Sequence, residues 1–312
     1  MKFLCTADWH LRFKKPKMRK DKNYFETQFG KVIQVLNIAK ENKCEAILHG
    51  GDVFDSAITP HFVVQTYISL FKKYCIPIFS VRGQHDLRYH SSNVENTPLA
   101  VLEAAGVVKI IEKEPFVFHG INIYGASFNE DIPEPIKKDN FNILLIHRMI
   151  VRDKLWEKQE DYVYGKSLLR SNQGYSVIIS GDNHEKFVVK DEDKYLINSG
   201  SLIRSRVDQK EHGPAVFILD TVSKEVIEYK LKIKKSSKIL DFFLHRSEKK
   251  RNKDLEMFIT TLKDRKDMGL SFSKNLEKSF NNPAIPLKTK DILNGWLELY
   301  YSKKSIKELK NG

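Results

Sequence analysis

Apolar residues recur along the chain with two different spacings, and these predict where strands and helices lie. Short continuous apolar runs, typical of buried strands, occur at residues 2–7, 45–52 and 77–83. Apolar side chains spaced three or four positions apart, as in an amphipathic helix, occur at residues 24–39, 61–75 and 97–108. This alternation of strands and helices is typical of a mainly parallel sheet with helices on its faces.

After Gly106 the pattern becomes rich in strands. Six further apolar runs of strand length occur at residues 120–128, 141–149, 175–184, 195–202, 215–221 and 224–233. The simplest architecture for so many strands is a second sheet packed on the first. We therefore predict an α/β fold, a two-sheet sandwich with helices on its outer faces.

The last quarter of the chain differs from the rest. Residues 236–312 contain 17 Lys or Arg and 10 Asp or Glu, so +7 of the formal charge of +13 lies there. Its apolar residues have helical spacing around Phe258 and around Trp296, and Asn281, Asn282 and Pro283 interrupt the pattern. We predict two domains, an α/β body at 1–235 and a basic helical module at 236–312.

Composition excludes several classes of protein. Of the 312 residues, 41% are hydrophobic, which is enough for a core and excludes a disordered chain. No apolar run is long enough to span a membrane, and the N-terminus lacks a signal-peptide pattern. Cys5, Cys44 and Cys75 lie in apolar segments, which favours buried, reduced thiols and a cytoplasmic location, such as a bacterial cytoplasm. The basic charge favours an anionic partner such as nucleic acid.

Five apolar runs end in side chains that bind metals. These clusters are Asp8-Trp9-His10, Gly51-Asp52, Gly83-Gln84-His85-Asp86, Ile146-His147 and Gly181-Asp182-Asn183-His184. Ligands bind open α/β sheets at the carboxyl ends of the strands, so we expect all five clusters to converge on one edge. Their composition is that of a two-metal site, in which a short carboxylate bridges ions about 4 Å apart. Asp52, which follows two glycines, suits the bridging position.

The order of these clusters resembles that of the calcineurin-like metallophosphoesterases, over residues 1 to about 235. Within that family, TADWHL, GGDVFD, the GQHD cluster and INSGSL most resemble the SbcD-type nuclease subunit of the SbcCD double-strand-break repair complex; short versions occur in bacteriophages. By this resemblance one metal takes Asp8, His10, Asp52 and His184, and the other takes Asp52, Gln84, His147 and Asp182. His85 lies beside the scissile phosphate and stabilises or protonates the leaving oxygen, and Asp86 orients His85.

Two positions depart from the family pattern, and both fall on the second metal. Gln84 stands where the family usually has Asn, and Asp182 where it usually has His. An extra carboxylate makes the ligand set harder and more anionic, which favours Mn²⁺, or Mg²⁺, over Zn²⁺. The alternative is that the two changes weaken the second site.

Other polar residues near these clusters have weaker signals. Arg82, Arg88 and His90 flank the His85 loop, and Arg204 and Arg206 follow the Ser199-Gly200-Ser201 turn; all five are candidates for contacts with substrate phosphates. For His49 we expect packing or a supporting hydrogen bond rather than ligation. For Asp55 we expect a cap on the following turn.

The motifs specify the reaction better than the substrate. They imply metal-assisted hydrolysis of a phosphodiester, and we find no Walker lysine motif, so this chain is not itself an ATPase. The resemblance implies an Mn²⁺-dependent DNA exonuclease with endonuclease activity on single strands or hairpins, acting as a homodimer with an SbcC-type coiled-coil ATPase. Two alternatives remain: a phosphatase or phosphodiesterase acting on small molecules, and a non-catalytic DNA-binding subunit.

Overall fold

The computed structural model describes residues 1–88, 95–136, 140–153, 162–264, 280–282 and 285–296. The chain divides into two compact units, Met1–Phe242 and Phe243–Gly312. His90 and Pro283 lie outside the described residues. Among the described helices, none is long and apolar enough to cross a membrane.

The first unit contains fourteen strands among its described residues. In chain order they are β1 (Lys2–Thr6), β2 (Ala46–His49), β3 (Ile78–Ser80), β4 (Lys109–Ile110), β5 (Phe116–Phe118), β6 (Ile121–Ala126), β7 (Asn142–His147), β8 (Ile150–Val151), β9 (Val163–Tyr164), β10 (Val177–Gly181), β11 (Phe187–Asp191), β12 (Lys194–Asn198), β13 (Ala215–Asp220) and β14 (Glu225–Lys230). The helices are α1 (Tyr24–Glu41), α2 (His61–Tyr74), α3 (Pro98–Ala104), α4 (Gly165–Ser171), α5 (Ser236–Ile239) and, across the boundary into the second unit, α6 (Phe242–Asp264).

The strands form two six-stranded mixed sheets. The first has the order β14-β13-β1-β2-β3-β4, with β1 to β4 parallel and β13 and β14 added antiparallel. The second has the order β11-β12-β10-β7-β6-β5, with four parallel strands between antiparallel edge strands. All six strands predicted after Gly106 are present, but β13 and β14 extend the first sheet instead of the second. A short parallel pair, β8 with β9, lies beside them.

Alternate residues of each central strand face different layers. In β1, Leu4 packs against the helical layer with Val32 and Leu36, whereas Phe3 and Cys5 face the second sheet. Adjacent residues of β7 likewise divide between the core that separates the sheets and an outer core that includes Leu168 and Leu169 of α4. This period of two produces layers in the order helix, sheet, sheet, helix, and the predicted sandwich is confirmed.

Local signals fix where the helices begin and end. Asn23 caps α1 by accepting a hydrogen bond from the Glu26 backbone N–H, and Thr97 caps α3 ahead of Pro98. α2 ends at Cys75, whose φ of 55° lies in the left-handed region. The expectation of three buried thiols is therefore wrong for Cys75, which is exposed because the helix stops there and the chain turns at the surface. Cys5 and Cys44 are buried and free.

In the second unit the described residues are largely helical. They comprise most of α6 and a helical segment at 287–296. Phe243, Met257 and Trp296 are exposed. The division of the chain at 235/236 stays a prediction.

Candidate metal centre

The two sheets bring five strand ends together. Asp8 and His10 follow β1, Asp52 follows β2, and the Gln84–Asp86 loop follows β3; these strands are neighbours in the first sheet. His147 ends β7, and Asp182 and His184 follow β10, its neighbour in the second sheet. Because both sets of parallel strands end at the same side of the sandwich, side chains from both sheets face one another there.

The carboxylate of Asp52 lies at the middle of this group. Its Oδ1 accepts a hydrogen bond of 2.9 Å from the His85 backbone N–H, whereas its Oδ2 is buried without a hydrogen-bond partner. Three imidazole Nε2 atoms surround Oδ2, those of His147 at 3.5 Å, His10 at 3.8 Å and His85 at 4.0 Å. Burial raises the pKa of Asp52. An orphaned carboxylate oxygen in such a ring is costly unless a cation completes it, so the residues present fit a metal ion.

Among the residues that the structure describes, three groups of side chains have the geometry to hold a metal. They are Asp8 with His10 and His184, His10 with Asp52 and His85, and Asp8 with Asp52 and His147; within each, the ligand atoms lie within 4.8 Å of one another. Asp8, His10 and Asp52 each belong to two groups, so the groups form one continuous cluster. These His and Asp side chains are therefore able to hold a metal ion.

Two histidines of this cluster are held in the neutral form. The Nε2 atoms of His10 and His184 are 3.1 Å apart. Burial lowers the pKa of His10 well below its ordinary value and lowers that of His184 to about 4. Neutral imidazole is the form that coordinates metals, so burial prepares both rings for ligation.

His147 and Asp182 are joined by Gln84. The Gln84 Oε1 accepts a 2.7 Å hydrogen bond from His147 Nε2, and its Nε2 donates to Asp182 Oδ1 at 3.0 Å. His147 Nδ1 donates to the Gly50 carbonyl at 2.7 Å, which turns Nε2 towards Asp52. Although burial lowers the pKa of His147, the carboxylates of Asp52, Asp8 and Asp182 outweigh it and raise the pKa above its ordinary value. Among the described residues, Asp182 is in none of the three compact groups.

The backbone is strained at four of these residues. The φ angles of Asp8, His10, Asp52 and Asp182 are 50°, 46°, 57° and 84°, in the left-handed region that non-glycine residues rarely adopt. Such conformations persist only where the surrounding structure imposes them, and they cluster at functional sites. All four of these residues are candidate metal ligands.

Two glycines allow the chain to pass close to the cluster. A Cβ on Gly83 would lie 2.0 Å from Asp52 Oδ1, and one on Gly51, where φ is 95°, would lie 2.5 Å from His147 Nδ1. Any side chain at either position would displace Asp52 or His147. The glycines beside the acidic and histidine residues are therefore structural requirements of this arrangement.

His85 is the most exposed member of the cluster. Its Nδ1 donates a 2.9 Å hydrogen bond to the Asp55 carbonyl, and its side chain is 42% exposed. With Nδ1 fixed in this way, Nε2 is directed to the cluster and lies 4.0 Å from Asp52 Oδ2. Its ring packs edge-on against His10, with centroids 4.8 Å apart.

Asp86 acts differently from the sequence-based expectation. Its carboxylate is buried and accepts hydrogen bonds from the backbone N–H groups of Val53, Phe54 and Gly83. It therefore joins the loops after β2 and β3 and does not contact the His85 imidazole, which the Asp55 carbonyl orients instead. Burial, followed by repulsion from Asp52, raises the pKa of Asp86 to about 7.

The sequence pattern did not identify several residues that contact the cluster. Asp55 does not simply cap a turn: its carboxylate forms an ion pair with Arg12 and lies 3.8 Å from His10 Nδ1. Gln28, on α1, donates to the carbonyls of Trp9 and His10. These contacts are between residues distant in sequence, and no local pattern marks them.

His49 and the turn at Ser199–Ser201 lie next to the cluster. His49 is buried and its Nδ1 accepts a hydrogen bond from the Gly51 N–H, which fits the expected supporting contact. The Ser201 hydroxyl accepts from Gln209 Nε2, which also lies 3.3 Å from His184 Nδ1. This turn therefore contributes to the surroundings of His184.

Of the five expected phosphate contacts, four lie among the described residues, and these four have different surroundings. Arg82 pairs with Glu112 at 2.6 Å, Arg206 is exposed and pairs with Asp208 at 3.2 Å, and Arg88 is exposed. Arg204 is only 4% exposed and donates to the Lys210 and Lys234 carbonyls. The expectation that Arg204 contacts a substrate phosphate stays a prediction, and in this structure backbone carbonyls hold its guanidinium.

Proteins of DNA repair are among the relatives of this sequence. A double-strand break repair protein MRE11 from Encephalitozoon cuniculi is 23% identical over 270 residues, covering 70% of this chain and 45% of the relative. A DNA double-strand break repair protein Mre11 from Methanosarcina acetivorans is 24% identical over 250 residues, covering 73% of this chain and 38% of the relative. The chain thus spans less than half the length of either.

The chain is also similar to solved structures, and one family model matches it. An archaeal phosphodiesterase is similar with a TM-score of 0.43 and 16% identity, covering 74% of this chain and 100% of that one. A dimetal phosphatase from Danio rerio is similar with a TM-score of 0.44 and 11% identity, covering 74% and 95%. The model of the calcineurin-like phosphoesterases matches residues 1–186, the region that contains every member of the cluster. With most of the chain matched, this protein belongs to the calcineurin-like phosphoesterase family.

Proposed function

We propose that this protein is a two-metal-dependent DNA nuclease, an exonuclease on duplex ends and an endonuclease on single strands or hairpins. The observation that supports it most strongly is the orphaned, buried Asp52 Oδ2 within 4.0 Å of three imidazole Nε2 atoms. An oxygen with this surrounding is suited to bridge two cations. The likeness to double-strand break repair proteins supports DNA as the substrate.

The proposed ligands divide between two ions that share Asp52. Asp8, His10, Asp52 and His184 would hold one, and Asp52, Gln84, His147 and Asp182 the other. Ions held by these residues would lower the pKa of a water, to supply a hydroxide nucleophile, and would offset the phosphate charge. For the second ion, the amide of Gln84 must release its hydrogen bonds to His147 and Asp182, and His147 must lose its Nε2 proton. The oxygen-rich second set supports Mn²⁺, or Mg²⁺, over Zn²⁺.

His85 is the proposed acid for the leaving group. Its Nδ1 proton is committed to the Asp55 carbonyl, so any proton that it transfers is carried on Nε2. That atom belongs to a side chain that is 42% exposed and lies 4.0 Å from Asp52 Oδ2, beside the place where a phosphate bound to the cluster would be. A proton delivered from Nε2 would stabilise the departing alkoxide oxygen.

Charge also favours a polyanionic substrate. The formal charge is +13, and +7 of it lies in residues 236–312. We propose that this module contacts DNA or an SbcC-type coiled-coil ATPase, and that the nuclease acts as a homodimer in such a complex. The exposed Phe243, Met257 and Trp296 are the candidate apolar contacts of the module.

The direct test is cleavage of end-labelled duplex DNA with Mn²⁺ by the purified full-length chain. We expect degradation that falls about 10²–10⁴-fold in His85→Ala, the range of a lost general acid. His61→Ala, which changes an exposed histidine at the start of α2, is the matched control and should cleave like the wild type. Equal cleavage by His85→Ala and the wild type would refute the role of His85.

Small-molecule hydrolysis is the competing function, and the same preparations distinguish it. Turnover of an artificial phosphodiester, without cleavage of duplex, single-stranded or hairpin DNA, would favour a small-molecule phosphodiesterase. DNA binding without hydrolysis of either substrate, unchanged in Asp52→Asn, would favour a non-catalytic subunit.

A further inference from the structure

A cavity with several basic residues in its lining lies in the first unit, outside the metal cluster. Its volume is about 340 Å³, and it lies between α1, the segment after β12 and the segment after β14. Five basic residues line it: Arg19, Lys31, Arg204, Lys232 and Lys234. The carboxylates that line it are those of Asp21 and Glu26.

Three of the basic side chains are buried, and two of these have no acidic partner. Arg19, Lys31 and Arg204 are 3%, 7% and 4% exposed. Arg19 binds both oxygens of Asp21, at 2.7 and 2.9 Å, which uses that carboxylate. Within the described part of the chain, no carboxylate lies within ion-pair distance of Lys31 or Arg204.

Backbone carbonyls take the place of the missing carboxylates. Lys31 Nζ donates to the Lys232 carbonyl, and Arg204 donates to the carbonyls of Lys210 and Lys234. Arg19 Nη1 in turn donates to the Arg204 carbonyl at 2.8 Å. Carbonyl dipoles orient these cations but do not neutralise their charge.

The electrostatic balance of the cavity is therefore positive. Burial lowers the pKa of Lys31 to about 8, with further lowering by Arg204 and Arg19, and burial lowers the pKa of Arg204. The Glu211 carboxylate partly offsets this at Arg204. Buried cations without counter-ions are costly, and a bound anion would remove most of that cost.

We propose that this cavity binds a phosphate group, as orthophosphate or as the terminal phosphate of a nucleic-acid strand. A guanidinium and an ammonium that line the same cavity match the oxygens of a tetrahedral dianion. Lys232 and Lys234 line the cavity and are exposed, so an anion can reach it from solvent. The volume accommodates a phosphate with its first waters.

The site also has a structural connection to the metal cluster. Arg204 lies on the same segment as Gln209, whose side chain contacts Ser201 and lies 3.3 Å from His184 Nδ1. An anion held by Arg204 would therefore fix the segment that supports His184. The proposal does not depend on nuclease activity, since it concerns binding by other residues.

The test measures thermal unfolding of the full chain against added orthophosphate at constant ionic strength. We expect a rise of several degrees in Tm that saturates, as ligand linkage requires. Lys31→Met should weaken binding about tenfold or more, the effect of losing one charge-assisted hydrogen bond. Lys40→Met, an exposed lysine on the same helix, should bind like the wild type.

Further variants separate this cavity from phosphate binding elsewhere. Asp52→Asn, at the metal cluster, should keep the response. Lys234→Ala should weaken it while keeping the carbonyl that accepts from Arg204, so it serves if Lys31→Met fails to fold. A response that survives in Lys31→Met and Lys234→Ala, or that disappears in Asp52→Asn, would overturn the proposal, as would no response at all.

A second arm identifies the source of the phosphate. We compare an oligonucleotide with a 5′-phosphate against its 5′-hydroxyl form, in the wild type and in Lys234→Ala. A preference for the 5′-phosphate that Lys234→Ala removes would assign the site to strand ends. Equal binding of both forms, alongside a response to orthophosphate, would assign it to the free anion.

Discussion

At the scale of single residues, the cluster depends on conformations that the chain would not adopt unaided. Asp8, His10, Asp52 and Asp182 have positive φ angles, and Asp52 Oδ2 is buried without a partner. Each feature destabilises the fold by itself, by about 1–3 kcal/mol for a strained backbone. Because these features occur together in one place, we infer that they lower the stability of the fold there and preorganise a cation site.

Gly83 provides a test of the close packing around Asp52. Gly83→Ala places a Cβ 2.0 Å from Asp52 Oδ1, so we expect a loss of about 1–3 kcal/mol in the free energy of unfolding, and weaker metal binding. Urea denaturation measures the first and Mn²⁺ titration the second. Gly30→Ala in α1, where a Cβ has nothing within 4 Å, should instead stabilise the protein slightly. Similar effects of both changes would contradict this account.

His49 provides a test of pH dependence. Burial lowers its folded pKa to about 3 from an ordinary 6.5, so the unfolded state binds more protons between these values. Its contribution to stability is present above pH 6.5 and is lost as the pH falls towards 3, by up to about 1.4 kcal/mol per pH unit. His49→Asn keeps an acceptor for the Gly51 N–H. In the presence of a chelator, its free energy of unfolding should fall less between pH 6.5 and 3 than that of the wild type. His61→Asn should show the same pH dependence of the free energy of unfolding as the wild type.

At the scale of elements, the loops after parallel strands create the site, and Asp86 holds two of them together. The Asp86 carboxylate accepts hydrogen bonds from the backbone N–H groups of Val53 and Phe54 after β2 and of Gly83 after β3. The Asp86 carboxylate thus fixes the position of Asp52 relative to His85, although its own hydrogen bonds go to the backbone and not to the imidazole. The second sheet adds His147 and Asp182 by the same principle.

Asp86→Asn tests this connection. The amide offers one acceptor oxygen instead of two, so at least one buried backbone N–H loses its partner, and we expect about 1–3 kcal/mol of destabilisation. The rate of the proposed DNA cleavage should fall as well, because Asp52 and His85 move apart. Asp131→Asn, at an exposed position, is the control for urea denaturation. Unchanged stability in Asp86→Asn would show that the loops are held by other contacts.

At the scale of the whole molecule, sequence pattern predicted the layers and the edge where the cluster lies. Parallel strands must end on the same side, so residues such as Asp8, Asp52 and His147 could be brought together without coordinates. The hydrogen bonds of Gln84, the inward direction of Arg204 and the Asp55–Arg12 pair could not be predicted, because they depend on side-chain directions across loops distant in sequence. The prediction that Cys75 is buried was wrong because the apolar pattern does not show where a helix end reaches the surface.

Salt dependence tests whether the whole basic molecule is adapted to DNA. Binding through several phosphates releases counterions, so we expect the KM for duplex DNA to rise steeply, by about 10³-fold or more between about 50 and 200 mM salt if six or more phosphates are contacted. The KM for a small artificial phosphodiester should hardly change. Parallel and weak salt dependence for both substrates would favour the small-molecule function.

The most direct measurement of the central claim is the number of Mn²⁺ ions bound by the purified chain, by calorimetric titration of the wild type and Asp52→Asn. A centre bridged by Asp52 predicts two ions in the wild type and loss of tight binding of both in Asp52→Asn, since the shared carboxylate serves each ion. Binding of one ion or none by the wild type, or unchanged binding by Asp52→Asn, would contradict a two-metal centre built on this residue.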